Sequence, residues 1–196
     1  MGSLLATFSA ALEARDPHLR GHSARVTAIA ESLARRLGWR GERLDALRLG
    51  ASLHDVGKIA VDASVLRKPG ALTEDELAQI RTHPVAGARL IEGVEDFHSA
   101  LPYVRHHHER WDGGGYPDQL AGEEIPIEAR LLGVADAFDA MTSDRSYRPA
   151  LSVEQALAEL ERCAGSQFDP DLAEKFIEGW RTGDIADPDS PVDIAI

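Results

Sequence analysis

The sequence predicts an all-α fold that forms a single compact domain. Apolar residues recur at helical spacing in most segments, as Val26, Ile29, Leu33 and Leu37 do. No segment alternates apolar and polar residues over the length of a strand, and no internal repeat divides the chain. The 196 residues, 43% of them hydrophobic, suffice for one domain with a proper core and are too few for two domains of typical size.

Most predicted helices carry their own start or stop signal. Asp16-Pro17 is typical of the beginning of a helix, and Gly38 of the end of the apolar stripe that follows it. A second stripe runs from Leu44 into His54-Asp55. The later helices are predicted to begin, in order, at the capping pair Thr73 and Glu76, at Pro84, near Ala100 (ending at His108), at Pro126 (ending near Thr142), at the capping pair Ser152 and Gln155, and at Asp169-Pro170. We therefore expect one helical domain over residues 1–182 and a loose acidic tail over residues 183–196.

The composition narrows the function classes. No apolar run approaches the length of a membrane span, and the start of the chain lacks the pattern of a signal peptide. Cys163 is the single cysteine, which indicates a reducing compartment, so we expect a cytoplasmic protein without a membrane partner. A formal charge of −12 excludes a protein that wraps DNA or RNA. A small anionic ligand stays compatible, because bound metals and a few local cations can reverse the local field.

Histidines and aspartates are distributed along the chain in a way that indicates a metal centre. Seven of them stand at the ends or on the faces of separate predicted helices: His22, His54, Asp55, His83, His107, His108 and Asp136. Imidazoles and carboxylates without thiolates suit iron or manganese better than a closed structural zinc site. Seven side chains exceed the needs of one ion, so we predict two divalent transition-metal ions that share a bridging carboxylate. Such a pair in a helical protein indicates hydrolysis of a phosphate ester.

Each candidate ligand also has a purely structural explanation. A lone histidine on a core-facing stripe, such as His22, is more often a buried hydrogen-bonded side chain than a ligand. His83 precedes a proline, and Asp136 and Asp139 fit solvated positions on a helix. These explanations weaken when they are combined, since several of the residues fall on or beside apolar stripes, where unpaired polar groups are costly. One shared metal centre explains all of them.

The segment Asp112-Gly113-Gly114-Gly115-Tyr116-Pro117 has two interpretations. It is a plain flexible connector, or its glycines let the backbone approach a ligand while Tyr116 offers a ring or a hydroxyl. A P-loop is excluded because no Gly-Lys-Ser/Thr follows, and a dinucleotide-binding turn because no strand precedes. The residues alone leave the two interpretations open.

An ordered series of motifs resembles one known family over nearly everything from Asp16 to Trp180. The segments are Gly21-His22-Ser23, His54-Asp55-Val56-Gly57-Lys58, Lys68-Pro69-Gly70, His83-Pro84, His107-His108-Glu109-Arg110-Trp111-Asp112-Gly113, Gly115-Tyr116-Pro117, Ile125-Pro126 with Ala129-Arg130, Val134-Ala135-Asp136-Ala137-Phe138-Asp139, Arg145 with Tyr147-Arg148, and Phe168-Asp169-Pro170. In this order they resemble the HD-GYP domains, a bacterial branch of the HD metal-dependent phosphohydrolases. A lone His-Asp pair would be weak evidence for the resemblance, whereas the whole ordered series of motifs is very specific to the family.

The resemblance implies an HD-type helical domain with a buried metal centre that hydrolyses cyclic di-GMP to pGpG, and in some relatives on to GMP. It implies that the seven histidines and aspartates are the ligands of the metal pair and that Asp55 bridges the ions. Lys58 resembles the family lysine that contacts the scissile phosphate. Arg145 and Arg148 match cationic positions that hold the substrate, and Gly115 and Tyr116 belong to the signature loop of the pocket. The metals would activate a water, with Lys58 stabilising the phosphoryl oxygens.

The resemblance also raises the hypothesis of a third ion. His18 lies four residues before His22, on the same side of a helix that begins at Pro17. Some family members have a glutamate there that helps to hold a third ion. The alternative is that His18 caps the pocket edge or hydrogen-bonds a ligand.

Candidate protein partners are diguanylate-cyclase-type signalling proteins and a second copy of the chain, which an N-terminal helix with Leu5, Phe8 and Leu12 would contact. Two alternatives to the main function stay open. One is an HD phosphohydrolase for another nucleotide, including the hybrid GMP-AMP ring; the other is a signalling module that binds ligand without turnover. The complete Gly115-Tyr116-Pro117 loop disfavours a general nucleotidase, and the complete ligand set disfavours a module that has lost its activity.

Overall fold

The structure is a computed structural model and describes residues 21–144 and 149–185. Those ranges contain helices and turns and no β-strand, so the prediction of an all-α fold is confirmed. The α-helices are α1 (His22–Arg36), α2 (Glu42–Leu53), α3 (Ala63–Leu66), α4 (Glu74–Ile80), α5 (His83–Ile91), α6 (Leu101–His106), α7 (Ile127–Thr142), α8 (Val153–Arg162) and α9 (Pro170–Thr182). Short 3-10 turns lie at Val56–Ala60, Glu95–Ala100 and Gly122–Glu124. None of the described helices combines the length and the apolar character that crossing a bilayer requires.

The predicted helix caps form as the sequence indicates. The Thr73 hydroxyl accepts the N–H of Glu76, and the Glu76 carboxylate accepts the N–H of Thr73. Ser152 and Gln155 cap α8 in the same way, and Asp169 accepts two backbone N–H groups at the start of α9. The predicted start of the first helix at Asp16-Pro17 lies outside the described residues.

The helix predicted from Ala100 to His108 ends earlier, at His106. The ring Nδ1–H of His107 donates to the carbonyls of Tyr103 and Val104, at 3.0 and 3.1 Å. This side-chain bond competes with the next turn of backbone hydrogen bonds, and the chain leaves the helix at that point. The second helix ends in the same manner, because the Nδ1–H of His54 donates to the Ala51 carbonyl at 2.7 Å.

The predicted tail begins with three described residues. Gly183 ends α9 with a φ of 78°, as a left-handed cap. The next residues pack on the domain, since Asp184 accepts a hydrogen bond from Arg36 and Ile185 is buried in the core. Residues 186–196 of the predicted tail lie outside the described residues.

The core consists of two clusters, and the candidate site lies between the helices that form them. The larger cluster surrounds α7, which packs against α1, α6, α8 and α9. On α7, the Phe138 ring contacts the rings of Phe176 and Trp180 at tilted angles. The smaller cluster joins α2, α5 and α6 through Leu53, Val56, Ile91, Phe97 and Val104.

Two glycines bring the turn after Asp55 into direct contact with the start of α5. A Cβ built on Gly57 would lie 1.9 Å from the carbonyl oxygen of His83 and 2.5 Å from the backbone nitrogen of Gly87. Only glycine permits this approach. It carries Asp55 to within 3.4 Å of the His83 ring.

We expect Gly57→Ala to destabilise the fold by at least ~2 kcal/mol, because the methyl group meets backbone atoms that have no room to move. Thermal or urea denaturation measures this difference. Gly93→Ala is the matched control, since an added Cβ there meets nothing within 4 Å, and it should change stability by less than about 0.5 kcal/mol. Equal stability of the two variants would contradict the close contact.

Candidate metal centre

The structure brings all seven predicted ligands together in two adjacent groups. The first group consists of Asp55, His83, His107 and His108, and the second of His22, His54 and Asp136. Within each group the candidate ligand atoms all lie within 4.8 Å of one another. The described residues can therefore hold two ions side by side.

Helix ends position most of these side chains. His22 and His83 are the first residues of α1 and α5. His54 directly follows α2, and His107 directly follows α6. Asp136 is the exception, since it extends from the middle of α7. The seven candidate ligands are dispersed over more than a hundred residues of sequence. They lie close together in the structure because the ends of four helices converge on α7.

Backbone carbonyls fix the orientation of three imidazoles. The Nδ1–H groups of His54, His83 and His107 donate to the carbonyls of Ala51, Ile80 and Tyr103, at 2.7, 2.8 and 3.0 Å respectively. A carbonyl only accepts, so in each neutral ring the proton resides on Nδ1 and the lone pair on Nε2. All three rings are thereby prepared to bind through Nε2.

The Nε2 atoms face one another at distances that call for a cation between them. The Nε2 atoms of His83 and His107 are 3.2 Å apart, and neither carries a proton in the neutral tautomers. Two lone pairs at this separation repel unless a positive charge lies between them. The donor set consequently fits a metal centre built from imidazole and carboxylate, without thiolate.

His22 is oriented by a carboxylate rather than a carbonyl. Its Nδ1 lies 2.7 Å from Oδ2 of Asp139, whose other oxygen accepts the Nε–H of Arg25 at 2.6 Å. Asp139 is only 1% exposed, so it is not the solvated residue that one sequence interpretation allowed. The sequence did not reveal a role for Asp139 or Arg25, although Asp139 stands three residues after Asp136, on the same side of α7.

Asp55 occupies the position of a bridge between the two groups. Its Oδ1 lies 3.4 Å from Nε2 of His83, and its Oδ2 lies 3.5 Å from Nε2 of His54. The Lys58 ammonium contacts Oδ2 at 2.7 Å. Burial by itself would raise the pKa of Asp55, but Lys58 and the surrounding imidazoles hold this pKa well below its usual range. The carboxylate therefore stays charged and available to cations on both sides.

The protonation states of the imidazoles favour binding of a metal ion. Burial lowers the pKa of His83 to about 4 and that of His108 to about 3, so both rings are neutral near pH 7. His22 behaves differently: burial opposes its charge, yet Asp136 and Asp139 raise its pKa to about 9. The position between these carboxylates thus favours a positive charge, which a metal ion would supply.

A cavity of about 650 Å³ opens onto the two groups of ligands. Lys58 and Tyr116, both predicted from the sequence, line this cavity. The Tyr116 ring stacks on the ring of His108, with 4.9 Å between centroids. Gly115 does not belong to the described cavity wall. It is buried against the loop, where a Cβ would lie 2.4 Å from the backbone nitrogen of Arg110, so the structure supports a packing role for it.

Three predicted site residues lie outside the described residues. They are Arg145 and Arg148, expected to hold the substrate, and His18, the candidate for an additional metal site.

Asp139→Asn should weaken metal binding roughly 10- to 100-fold, because the amide no longer fixes the His22 tautomer as a carboxylate does. Metal titration of protein that has first been stripped by a chelator measures the affinity. Asp45→Asn is the control, since Asp45 is an exposed partner of Arg48 on α2 and should leave the affinity unchanged. If both variants bound metal as the wild type does, the proposed role of Asp139 would be excluded.

This chain is similar to a described protein family and to several known proteins. The family model described as HD domain matches residues 6–172. The "Cyclic di-GMP phosphodiesterase response regulator RpfG" of Xanthomonas campestris is 42% identical over 178 residues, which cover 89% of this chain and 47% of that protein. The "3'3'-cGAMP-specific phosphodiesterase 2" of Vibrio cholerae is 37% identical over 172 residues, which cover 87% of this chain and 33% of that protein. The chain thus spans less than half the length of these two relatives.

Solved structures share the fold. An HDG"Y"P protein from Bdellovibrio bacteriovorus superposes with a TM-score of 0.67 at 21% identity, over 82% of this chain and 51% of that one. The cyclic GMP-AMP-specific phosphodiesterase V-cGAP3 of Vibrio cholerae also superposes with a TM-score of 0.67, at 22% identity, over 91% of this chain and 48% of that one. Likeness at this level of identity shows a common fold, and the prediction of an HD-type helical domain is confirmed.

Proposed function

Because this chain belongs to the HD domain family, we propose that it is a metal-dependent phosphodiesterase that hydrolyses cyclic di-GMP to pGpG and so ends a bacterial second-messenger signal. One observation carries the proposal: two groups of imidazoles and carboxylates meet around Asp55 beside a cavity large enough for a dinucleotide. The similarity to a relative named cyclic di-GMP phosphodiesterase, at 42% identity, supports the choice of substrate.

We assign one metal ion to each of the two groups of side chains. Asp55, His83, His107 and His108 would hold one ion, and His22, His54 and Asp136 the other, with Asp55 shared between them. Iron or manganese suits this set best. A third ion would require His18 as an additional ligand. When bound, the metal pair would supply Lewis acidity toward the phosphodiester and a nearby water.

Lys58 and Tyr116 would act directly on the substrate. The Lys58 ammonium lies at the cavity wall beside Asp55, where it would stabilise the charge that develops on the phosphoryl oxygens. Tyr116, held against His108, would support a base or a ribose through its ring. Arg145 and Arg148 would add positive charge toward the second phosphate.

A second candidate substrate is the hybrid ring 3'3'-cGAMP. A relative that is 37% identical over 87% of this chain bears that specificity in its name. The seven metal ligands and Lys58 serve either ring equally, because they act on phosphate and not on the bases. The choice between the two rings therefore depends on groups that touch the bases.

The experiment is a turnover assay of the anaerobically purified protein, loaded with iron or manganese, on cyclic di-GMP, 3'3'-cGAMP and cyclic di-AMP. We expect pGpG as the first product and the highest kcat/KM for cyclic di-GMP. Preference for 3'3'-cGAMP would select the second candidate, and absence of turnover on all three rings would refute the proposed function.

A further inference from the structure

Part of the cavity wall consists of residues that the proposed function does not use. We call this region the distal arm; Trp111, Ile125, Ala129, Arg130 and Phe168 line it. Arg130 lies on α7, six residues before Asp136, which corresponds to about 9 Å along the helix axis. This separation suits a single nucleotide that reaches from its phosphate at the metal centre to the edge of its base.

The distal arm is built around a guanidinium that is held in place and only partly paired. Nη1 of Arg130 donates to Oδ2 of Asp169 at 2.6 Å, and the guanidinium carbon lies 5.6 Å above the centre of the Trp111 ring. The side chain is only 14% exposed. Its Nε–H is buried and has no hydrogen-bond partner among the residues that the structure describes. Such groups are rare in folded proteins and need an explanation.

A buried acceptor without a partner lines the same cavity. Oε1 of Glu109 accepts the backbone N–H of Asp118 at 2.7 Å, but Oε2 finds no donor within the described part of the chain. Glu109 is 9% exposed. The residues that line the cavity thus include one with a buried unpaired donor and one with a buried unpaired acceptor, and other contacts hold both side chains in place.

The chemistry of these two groups matches guanine. Guanine offers acceptors at O6 and N7 and donors at N1 and N2, whereas adenine places a donor at N6 beside N7. A guanidinium N–H prefers the acceptor pair of guanine, and a carboxylate oxygen prefers its donors. The apolar walls formed by Ile125, Ala129 and Phe168 suit the flat faces of a base.

We propose that the distal arm is a base subsite in which Arg130, with Glu109, selects guanine over adenine. This inference rests on the proposed function and deepens it, since it names the side chains that distinguish one cyclic dinucleotide from another. A purely structural Arg130 would serve only the Asp169 ion pair, which caps α9. That role uses Nη1 and leaves the Nε–H without a purpose.

The test variant is Arg130→Lys, which keeps a positive charge for Asp169 but removes the planar donor fork. The matched control is Arg110→Lys in the same cavity wall. Arg110 already commits all three of its guanidinium nitrogens, to Asp112 and Gln167, at 2.7 to 3.2 Å. Glu109→Gln is the second variant, because it is isosteric and replaces the acceptor by a donor while the bond to the Asp118 N–H can stay.

We expect Arg130→Lys to lower kcat/KM for cyclic di-GMP roughly 10- to 100-fold and to change it for cyclic di-AMP by less than about threefold. Glu109→Gln should shift the same ratio in the same direction, and Arg110→Lys should leave it unchanged. Metal content is measured in every variant. An equal loss on both rings, as a structural or phosphate-binding role would cause, overturns the inference.

A binding measurement separates this inference from the proposed function. Calorimetry with GMP and AMP on the metal-loaded wild type should show tighter binding of GMP, and Arg130→Lys should remove the difference. If the wild type hydrolysed no cyclic dinucleotide but retained this preference, the proposed function would fail and the guanine subsite would stand. If GMP and AMP bound equally to the wild type, the subsite would be refuted.

Discussion

Asp55→Ala is expected to lower turnover of cyclic di-GMP on the order of 10³-fold or more while the helical fold persists. The Asp55 carboxylate presents one oxygen to each group of ligands, at 3.4 and 3.5 Å from the nearest imidazole nitrogens. Under the proposed assignment its loss would remove the ligand that the two ions share, and with it several kcal/mol of Lewis-acid stabilisation. Steady-state kinetics and metal analysis measure the loss, and circular dichroism checks the fold.

The control for this variant is Asp45→Ala. Asp45 lies on α2, where its side chain is exposed and pairs only with Arg48 among the described residues. Its removal should leave turnover and metal content unchanged. Near-normal hydrolysis by Asp55→Ala would show that the centre has been assigned incorrectly.

Lys58→Ala should lower kcat roughly 10²- to 10³-fold and retain the metal ions, since we propose that the ammonium acts on the phosphate and is not a metal ligand. Its side chain is 17% exposed at the cavity wall, so a substrate can reach it. In the absence of substrate the ammonium pairs with Asp55 at 2.7 Å. A loss of metal equal to the loss of rate would mean that Lys58 only supports Asp55.

Lys68→Ala serves as the matched control. Lys68 binds the Glu76 carboxylate at the start of α4, outside the cavity, so its removal should change kcat by less than about threefold. The difference between the two lysine variants therefore measures the contribution of position, and not of charge in general.

Local signals explain how much of the fold the sequence predicted. Caps such as Thr73 with Glu76 act within one turn of helix, and short-range patterns reveal them. The end of α6 was predicted two residues too late, because the ring of His107 takes carbonyls that a backbone N–H would otherwise bind. Side-chain competition of this kind is not visible in apolar periodicity.

The site shows the same division between local patterns and long-range contacts. The seven ligands could be predicted because their residue types and the family motifs mark them along the chain. The structure brings these seven side chains together. The contacts of Asp139 and Arg130 involve partners more than 35 residues away, so apolar periodicity does not indicate them, and only the spacing of Asp139 from Asp136 gives a local signal. The contact of Gly57 with Gly87 is equally hidden, because it depends on how closely two backbones approach.

Metal analysis of the protein, purified without oxygen and coupled to turnover of cyclic di-GMP, tests the central claim most directly. We predict about two ions of iron or manganese per chain, loss of turnover when a chelator removes them, and its return when they are restored. A stoichiometric zinc content with full activity, or full turnover by protein freed of metal, would contradict the assignment of a binuclear hydrolytic centre.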